Sequence, residues 1–242
     1  MAGLIRTVQR TRRWKWNCSS PSSVVRTLRA SNELSGNLDF GIRAYAAEVE
    51  TVTKSPFESN ILRILRNEME YQLEYAPPQQ PVTKFNAFTV EGRPGEQVIT
   101  IRGKFGEGED IKIEATMFDG FEHVPVVGDD SSGVNVRLHL SLIVDISKGG
   151  GDSTLEFICS AWPGCLDVEK LYVLRCGQMP ARPYLGPDFR DLNPKIQEKF
   201  REYLDARGVN NELAVFLHDY MMNKDRIELL RWMNSLKSFV GK

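Results

Sequence analysis

Apolar residues spaced three and four positions apart predict three amphipathic helices in this chain of 242 residues. In the first, the apolar residues step by four: Phe57, Ile61, Leu65, Met69 and Leu73. Ser55 lies three residues before Glu58, with Pro56 at the first helical position, and this combination favours a helix start. The prolines that follow Ala76 predict the end of this helix.

The last 50 or so residues predict two more helices, separated by a turn at Gly208-Val209-Asn210. Helical spacing in the first of them connects Ile196, Phe200, Tyr203, Leu204 and Arg207. Gly208 is suited to a left-handed position that ends a helix, and Asn210 is suited to cap the next one. The apolar face of the final helix consists of Leu213, Phe216, Leu217, Tyr220 and Met221, and it continues through Ile227, Leu230, Trp232, Met233, Leu236 and Phe239. So apolar a helix requires cover from the rest of the chain.

Between Val82 and Arg175 the pattern changes to an alternation of period two. It predicts six strands, over residues 85–90, 98–102, 111–116, 134–144, 155–159 and 168–174. Glycine-rich turns connect several of them, so neighbours in sequence are expected to pair antiparallel. No helical pattern interrupts the block, which excludes a doubly wound parallel sheet. The prediction is an α+β fold, with one helix before an antiparallel sheet and two after it, the helices packed together over one apolar face.

The N-terminal residues have the composition of a mitochondrial or chloroplast transit peptide, and the residues around Tyr45 favour the mitochondrial one. Residues 1–45 hold eight basic residues, scattered serines and two acidic residues. Arg43-Ala44-Tyr45 followed by Ala46-Ala47 resembles a processing site, so we predict a transit peptide at residues 1–45, a linker at 46–54 and one folded domain at 55–242. The alternative is a basic arm that binds nucleic acid or an anionic surface.

Removal of residues 1–45 changes the charge of the protein. The whole chain has 31 basic and 32 acidic residues, and the remaining part has 23 and 30, a net charge near −7. This acidity disfavours direct binding to a phosphate backbone, which requires clustered Lys and Arg.

No catalytic or metal-binding motif is apparent. The three histidines, His123, His139 and His218, have no ligand spacing with one another or with cysteines. Cys159, Cys165 and Cys176 are an odd number without C-x-x-C spacing, so reduced thiols are expected. We therefore predict a protein without a cofactor or metal and without enzymatic activity.

Acidic residues between positions 107 and 130 form the candidate partner-binding face: Glu107, Glu109, Asp110, Glu114, Asp119, Glu122, Asp129 and Asp130. Such a face would attract basic partners; the alternative is an ordinary solvated set of loops. A second set is a candidate for helix packing or a subunit interface, because its apolar stripes exceed what one small sheet face covers: Phe57, Ile61, Leu65, Met69, Leu213, Phe216, Leu217, Tyr220, Leu230, Trp232 and Met233. The alternative function is a small-molecule carrier with a pocket between sheet and helices.

Several blocks of sequence resemble the mitochondrial glycoprotein family, also called mitochondrial matrix acidic proteins and represented in animals by the complement component 1 Q subcomponent-binding protein. In order, the blocks are NILRILRNEMEY (60–71), FTVEGRPGEQ (88–97), IKIEATMFDG (111–120), LEFICSAWP (155–163), YLGPDF (184–189) and LHDYMMNKDRIELLRWM (217–233). Together they span nearly all of the chain after the transit peptide, and their amino-acid sequences resemble those of plant members.

The resemblance implies a twisted antiparallel sheet of seven strands, with the additional strand within residues 121–127, assembled as a ring-shaped homotrimer. It also implies a non-enzymatic scaffold or chaperone of the mitochondrial matrix that binds basic proteins or ribonucleoprotein components, contacts RNA only indirectly, and supports mitochondrial translation, ribosome biogenesis and oxidative phosphorylation. The loop from Gly128 to Gly133 is shorter than in the most acidic members, which argues against strong polycation binding.

Overall fold

A computed structural model describes residues 55–125, 134–149, 151, 153–175, 184 and 186–242. The predicted transit peptide and linker lie outside the described residues, as do Asp129, Asp130 and the rest of the loop from Gly128 to Gly133.

The described part of the chain forms one helix, then a meander of strands and then two helices, in the predicted order. The elements are α1 (Pro56–Tyr75), β1 (Lys84–Phe85), β2 (Phe88–Gly92), β3 (Val98–Phe105), β4 (Glu109–Thr116), β5 (Gly120–Pro125), β6 (Val134–Lys148), β7 (Ser153–Trp162), β8 (Cys165–Arg175), α2 (Pro194–Asp205) and α3 (Asn211–Val240). A single 3-10 turn, Phe189–Asp191, precedes α2. The α+β class and the antiparallel sheet are confirmed.

The sheet has eight strands, in the order β1-β2-β3-β4-β6-β7-β8, and β5 pairs with β6 outside this path. β6 is long enough to pair with three strands: residues 134–139 pair with β5, residues 142–148 with β4 and residues 140–147 with β7. β5 is the additional strand that the family resemblance placed within residues 121–127.

The first predicted strand, over residues 85–90, is wrong. The chain reverses at Asn86-Ala87, so that β1 and β2 form a tight hairpin in which Phe85 pairs with Phe88. Asn86 has a φ of 50°, a left-handed conformation that asparagine tolerates better than most residues. Alternation of side chains continues across the turn, and the pattern therefore gave no sign of the reversal.

One face of the sheet is apolar and lies under α2 and α3. Its buried residues alternate along the central strands: Ile99, Ile101, Ile111, Ile113, Leu140, Leu142, Val144, Phe157 and Cys159. Leu204 of α2 and Leu213, Leu217 and Met221 of α3 complete the same core. The opposite face carries polar residues such as Thr100, Lys112 and Asp145, as an antiparallel sheet with one wet face requires.

The turn between the two C-terminal helices lies where the sequence predicts it. Asn210 caps α3, because its Oδ1 accepts hydrogen bonds from the backbone N–H groups of Glu212 and Leu213. Gly208 has a φ of 74° after the end of α2.

α1 packs on α3 and not directly on the sheet. None of the helices in the described part of the chain is long and apolar enough to cross a bilayer.

Candidate functional site

Glu109, one of the candidate partner-binding carboxylates, is partly buried and is paired with cations of the same chain. Its Oε2 accepts a hydrogen bond of 2.7 Å from Nε of Arg207, and its Oε1 lies 3.2 Å from Nζ of Lys148. The Arg207 guanidinium also stacks against the rings of Tyr203 and Phe105, at 3.3 and 4.4 Å. The hydrogen bond from Arg207 is the main reason that the pKa of Glu109 is lowered, although burial opposes it. Glu109 therefore joins the end of α2 to the start of β4.

Asp110 and Glu114 lie on the polar face of the sheet. Asp110 pairs with Lys104 on the neighbouring strand at 3.6 Å. Glu114 lies 2.7 Å from Lys112, whose Nζ also lies 3.8 Å from Asp145. The polar face is therefore a mixture of both charge signs.

Asp119 and Glu122 lie beyond the other end of β4, Asp119 just before β5 and Glu122 within it. Asp119 Oδ1 lies 2.7 Å from Nδ1 of His139. Burial raises the pKa of Asp119, but hydrogen bonds from His139 and Ser141 outweigh it, so the pKa is lowered overall. Glu122 accepts a 2.7 Å hydrogen bond from Arg137 across the β5–β6 pair.

The structure thus distributes the candidate carboxylates over two ends of one strand. β4 spans seven steps from Glu109 to Thr116, about 23 Å at ~3.3 Å per residue. Five of the six described members are paired with a cation or a histidine, and Glu107 is exposed in the turn between β3 and β4. Their joint action as a partner-binding face remains a proposal.

Cys159 and His218, two further side chains of a chemically reactive type, are engaged in the packing of the fold. Cys159 is buried in the core, and burial raises the pKa of its thiol to about 12, so it is not a thiolate at neutral pH. His218 contacts the carbonyl oxygens of Ala214 and Leu138, at 2.8 and 3.0 Å, and thereby connects α3 to β6. Within the described ranges no three His, Cys, Asp or Glu side chains are grouped to hold a metal ion.

The candidate interface set divides into two groups. Leu213, Leu217, Tyr220 and Met233 are buried within the chain itself. Phe216 packs against the same core, and Ile61, Leu65, Met69 and Leu230 are half-buried. Phe57 and Trp232, in contrast, are 75% and 57% exposed. The first group packs within the chain, and the exposed pair is left uncovered by it.

Two features of the structure were not predicted from the sequence. One is a buried lysine, Lys224, whose ion pair with Glu228 is indicated in the sequence only by their spacing of four residues. The other is a groove of about 480 Å³ whose lining includes Asp167, Asp205 and Glu212. No local pattern predicts the groove, because its residues come from three separate elements.

Comparisons with known proteins agree with this architecture. The sequence profile of the mitochondrial glycoprotein family (MAM33) matches residues 65–240. A mitochondrial protein of Arabidopsis thaliana, named as uncharacterized, is 27% identical over 214 residues, which cover 81% of this chain and 79% of the relative. The mitochondrial acidic protein mam33 of Schizosaccharomyces pombe is 23% identical, with 90% and 96% covered.

Solved structures show the same fold. The p22 protein of Trypanosoma brucei has a TM-score of 0.61 and 22% identity, with 77% of this chain and all of the other covered. A hypothetical protein of Leishmania major, described as a homologue of human p32, has a TM-score of 0.59 and 19% identity, with 76% and 99% covered. Since the family profile spans most of the chain, from the middle of α1 to the last residue of α3, the chain belongs to the mitochondrial glycoprotein family.

Proposed function

We propose that this protein is a non-enzymatic acidic scaffold or chaperone of the mitochondrial matrix, which captures basic proteins through its carboxylates. The observation that carries the proposal is membership of the mitochondrial glycoprotein family over residues 65–240. A relative from Schizosaccharomyces pombe bears the name mitochondrial acidic protein, which agrees with the acidic balance of residues 46–242. The matrix is the proposed compartment, and residues 1–45 are the proposed transit peptide.

The proposed mechanism is long-range attraction without covalent chemistry. A net charge near −7 after removal of residues 1–45 gives the molecule a negative field that speeds encounter with basic partners. Carboxylates paired within the fold, such as Glu109 with Arg207, contribute little to that field, because their charge is compensated. Glu107, exposed in its turn, is better placed to meet a partner. Capture is then the sum of several weak contacts.

The proposed partners are basic proteins or ribonucleoprotein components of the matrix, and RNA is contacted only through them. Through these partners the protein supports mitochondrial translation, ribosome biogenesis and oxidative phosphorylation. The proposed working form is a homotrimer. Support for an assembly comes from the apolar residues that a single chain leaves exposed on its helices, among them Phe57, Trp232 and Phe239.

A pull-down at several salt concentrations tests the mechanism. The purified protein is immobilised and exposed to a mitochondrial extract, first at low salt and then up to about 1 M, where the Debye length falls to about 3 Å. Basic proteins are expected to be retained at low salt and released as salt rises. An inert acidic protein of similar net charge is the control for nonspecific ion exchange. Retention unchanged across the salt range, or equal retention by the control, would contradict electrostatic capture as a specific function.

A small-molecule carrier has no specific observation in its favour. The side chains between the sheet and the helices belong to one continuous core cluster, in which Ile101, Ile113 and Leu217 are fully buried. Of the two cavities found among the described residues, one is only about 90 Å³ and the other is the groove at the margin of the sheet.

A further inference from the structure

The groove at the margin of the sheet lies beside an edge strand. It is bordered by the start of β8, the end of α2, the turn that follows and the first residues of α3, and its volume is about 480 Å³. This volume is within the range of sites that bind small ligands or a few side chains. β8 is the last strand in the order of the described sheet, and its first four residues, Cys165 to Val168, line the groove.

The walls of the groove are fixed by local hydrogen bonds. Gly208, with a φ of 74°, lets the chain turn sharply between α2 and α3. The side chain of Asn210 accepts hydrogen bonds from two backbone N–H groups in the first turn of α3, at 3.1 and 3.2 Å. Asn211 Oδ1 accepts a 2.9 Å hydrogen bond from the backbone N–H of Leu166, which ties α3 to the edge strand. A site held in this way requires little ordering when a ligand binds.

The floor of the groove is apolar. Leu204 and Val209 are each 2% exposed, and Val168 is 4% exposed. Leu166 is half-buried beside them. An apolar side chain of a ligand would find contacts here that the surrounding surface does not offer.

The rim of the groove is acidic. Asp167, Asp205 and Glu212 line it, and the only cation among the lining residues is Arg201. Arg201 is already engaged, with its guanidinium 5.5 Å from the ring of Phe189. Among the residues that the structure describes, none of the three rim carboxylates is in an ion pair. This contrasts with Glu109 and the other paired carboxylates of β4 and β5.

We propose that this groove binds a short extended segment of a basic protein, with an apolar side chain on the floor and Lys or Arg side chains at the rim. The inference rests on the proposed function, to which it gives a defined binding site. Charge complementarity selects the occupant, because three carboxylates oppose one engaged arginine. An extended conformation fits because four successive residues of an edge strand, Cys165 to Val168, line the groove.

Fluorescence anisotropy with labelled synthetic peptides tests this site in the full chain. The probe is a ten-residue peptide of alternating Lys and Leu, and the comparison peptides alternate Lys with Ser and Glu with Leu. The test variant is Asp205→Asn/Glu212→Gln, in which both changed residues are exposed. The matched control is Glu70→Gln/Glu74→Gln, which removes the same charge from an exposed part of α1.

The Lys–Leu peptide is expected to bind more tightly than either comparison peptide. Asp205→Asn/Glu212→Gln is expected to weaken its binding about three- to tenfold, as loss of two partly exposed charge contacts implies. Glu70→Gln/Glu74→Gln is expected to change it less than about twofold.

Three results would overturn the groove as the binding site. The first is equal weakening of peptide binding in both double variants, which means that net charge alone acts. The second is an unchanged affinity in Asp205→Asn/Glu212→Gln. The third is a wild-type protein that does not bind the peptide although it retains basic proteins in the salt-dependent pull-down. In the last two cases the proposed function survives. Failure of both the peptide and the pull-down would remove the proposed function as well.

Discussion

Lys224 is a charged residue buried where α3 meets the loop between β2 and β3, and its side chain is only 7% exposed. Its Nζ donates hydrogen bonds to the carbonyl oxygen of Arg93 at 3.0 Å and to Oε1 of Glu228 at 3.1 Å. Glu228 also accepts hydrogen bonds from Arg231 at 2.6 Å and from the backbone N–H of Gly95 at 2.9 Å. Such a network is tolerated inside a protein because each charged group has partners.

Because of this network, the stability of the fold should depend on pH. Burial raises the pKa of Glu228, but hydrogen bonds from Arg231, Lys224 and Gly95 outweigh it and lower the pKa overall. A carboxylate whose pKa is lower in the folded state stabilises the fold above its unfolded pKa, and this contribution is lost as pH falls through the folded pKa. Glu228→Gln should therefore cost about 1–3 kcal/mol at neutral pH, and the difference from wild type should shrink below a pH of about 4.5.

Urea unfolding at neutral and acidic pH measures this difference. Glu96→Gln is the control, since Glu96 is exposed and lies 3.6 Å from an exposed Arg93, so its cost should be below about 0.5 kcal/mol. An equal cost for Glu228→Gln at both pH values would show that the carboxylate charge is not what stabilises this network.

The ring of Phe88 contacts both a neighbouring strand and the turn between α2 and α3. Phe88 of β2 lies against Gly103 of β3 and against Gly208 in the turn between α2 and α3. A Cβ at Gly103 would lie 2.5 Å from the Phe88 ring, and one at Gly208 would lie 3.1 Å from it. The absence of side chains at these two positions lets the turn approach the sheet closely.

Gly103→Ala should destabilise the fold, because the added methyl group forces the buried Phe88 ring or the strand to move. The expected cost is about 1–3 kcal/mol, which is typical of overpacking in a core. Gly108→Ala is the matched control, since a Cβ at Gly108 meets nothing within 4 Å. Thermal denaturation of the two variants compares them, and equal midpoints would contradict the close packing of Phe88 on Gly103.

At the scale of the elements, the helix boundaries were predictable and the strand boundaries less so. Pro56, Gly208 and Asn210 act on their own neighbours, so their effect is visible in a short stretch of sequence. The hairpin at Asn86 was missed because an apolar alternation looks the same across a two-residue turn as within a strand. β5 was found only through the family resemblance, since Phe121 and His123 alternate too briefly to define a strand alone.

At the scale of the whole molecule, α1 and the second half of α3 leave an incomplete apolar surface. Phe57, Trp232 and Phe239 are 75%, 57% and 79% exposed in the single chain. A surface of this kind commonly marks a contact between subunits. The proposed homotrimer would cover it, with the helices of one subunit against the next.

Light scattering after size exclusion tests the assembly. The chain has a mass of 27.5 kDa, and a mass of three times that value is expected. Trp232→Asp should shift the protein toward monomer, because it places a charge in a contact between subunits, whereas the helical circular dichroism should be unchanged. Val173→Asp, at an exposed apolar residue of β8, is the control and should leave the mass as it is. A wild-type protein that is monomeric at every concentration would reject the trimer.

The sequence by itself determined the fold class, the three helices, most of the strands and the family, because these depend on periodicity, on capping residues and on blocks of neighbouring residues. Only the tertiary structure decided what the charged residues do. Glu109 meets Arg207 across 98 positions of sequence, and that contact turns a candidate binding residue into a structural one. Likewise, Asp167, Asp205 and Glu212 border one groove although they lie on three elements. Electrostatic pairing depends on distance in space, which a local sequence pattern does not contain.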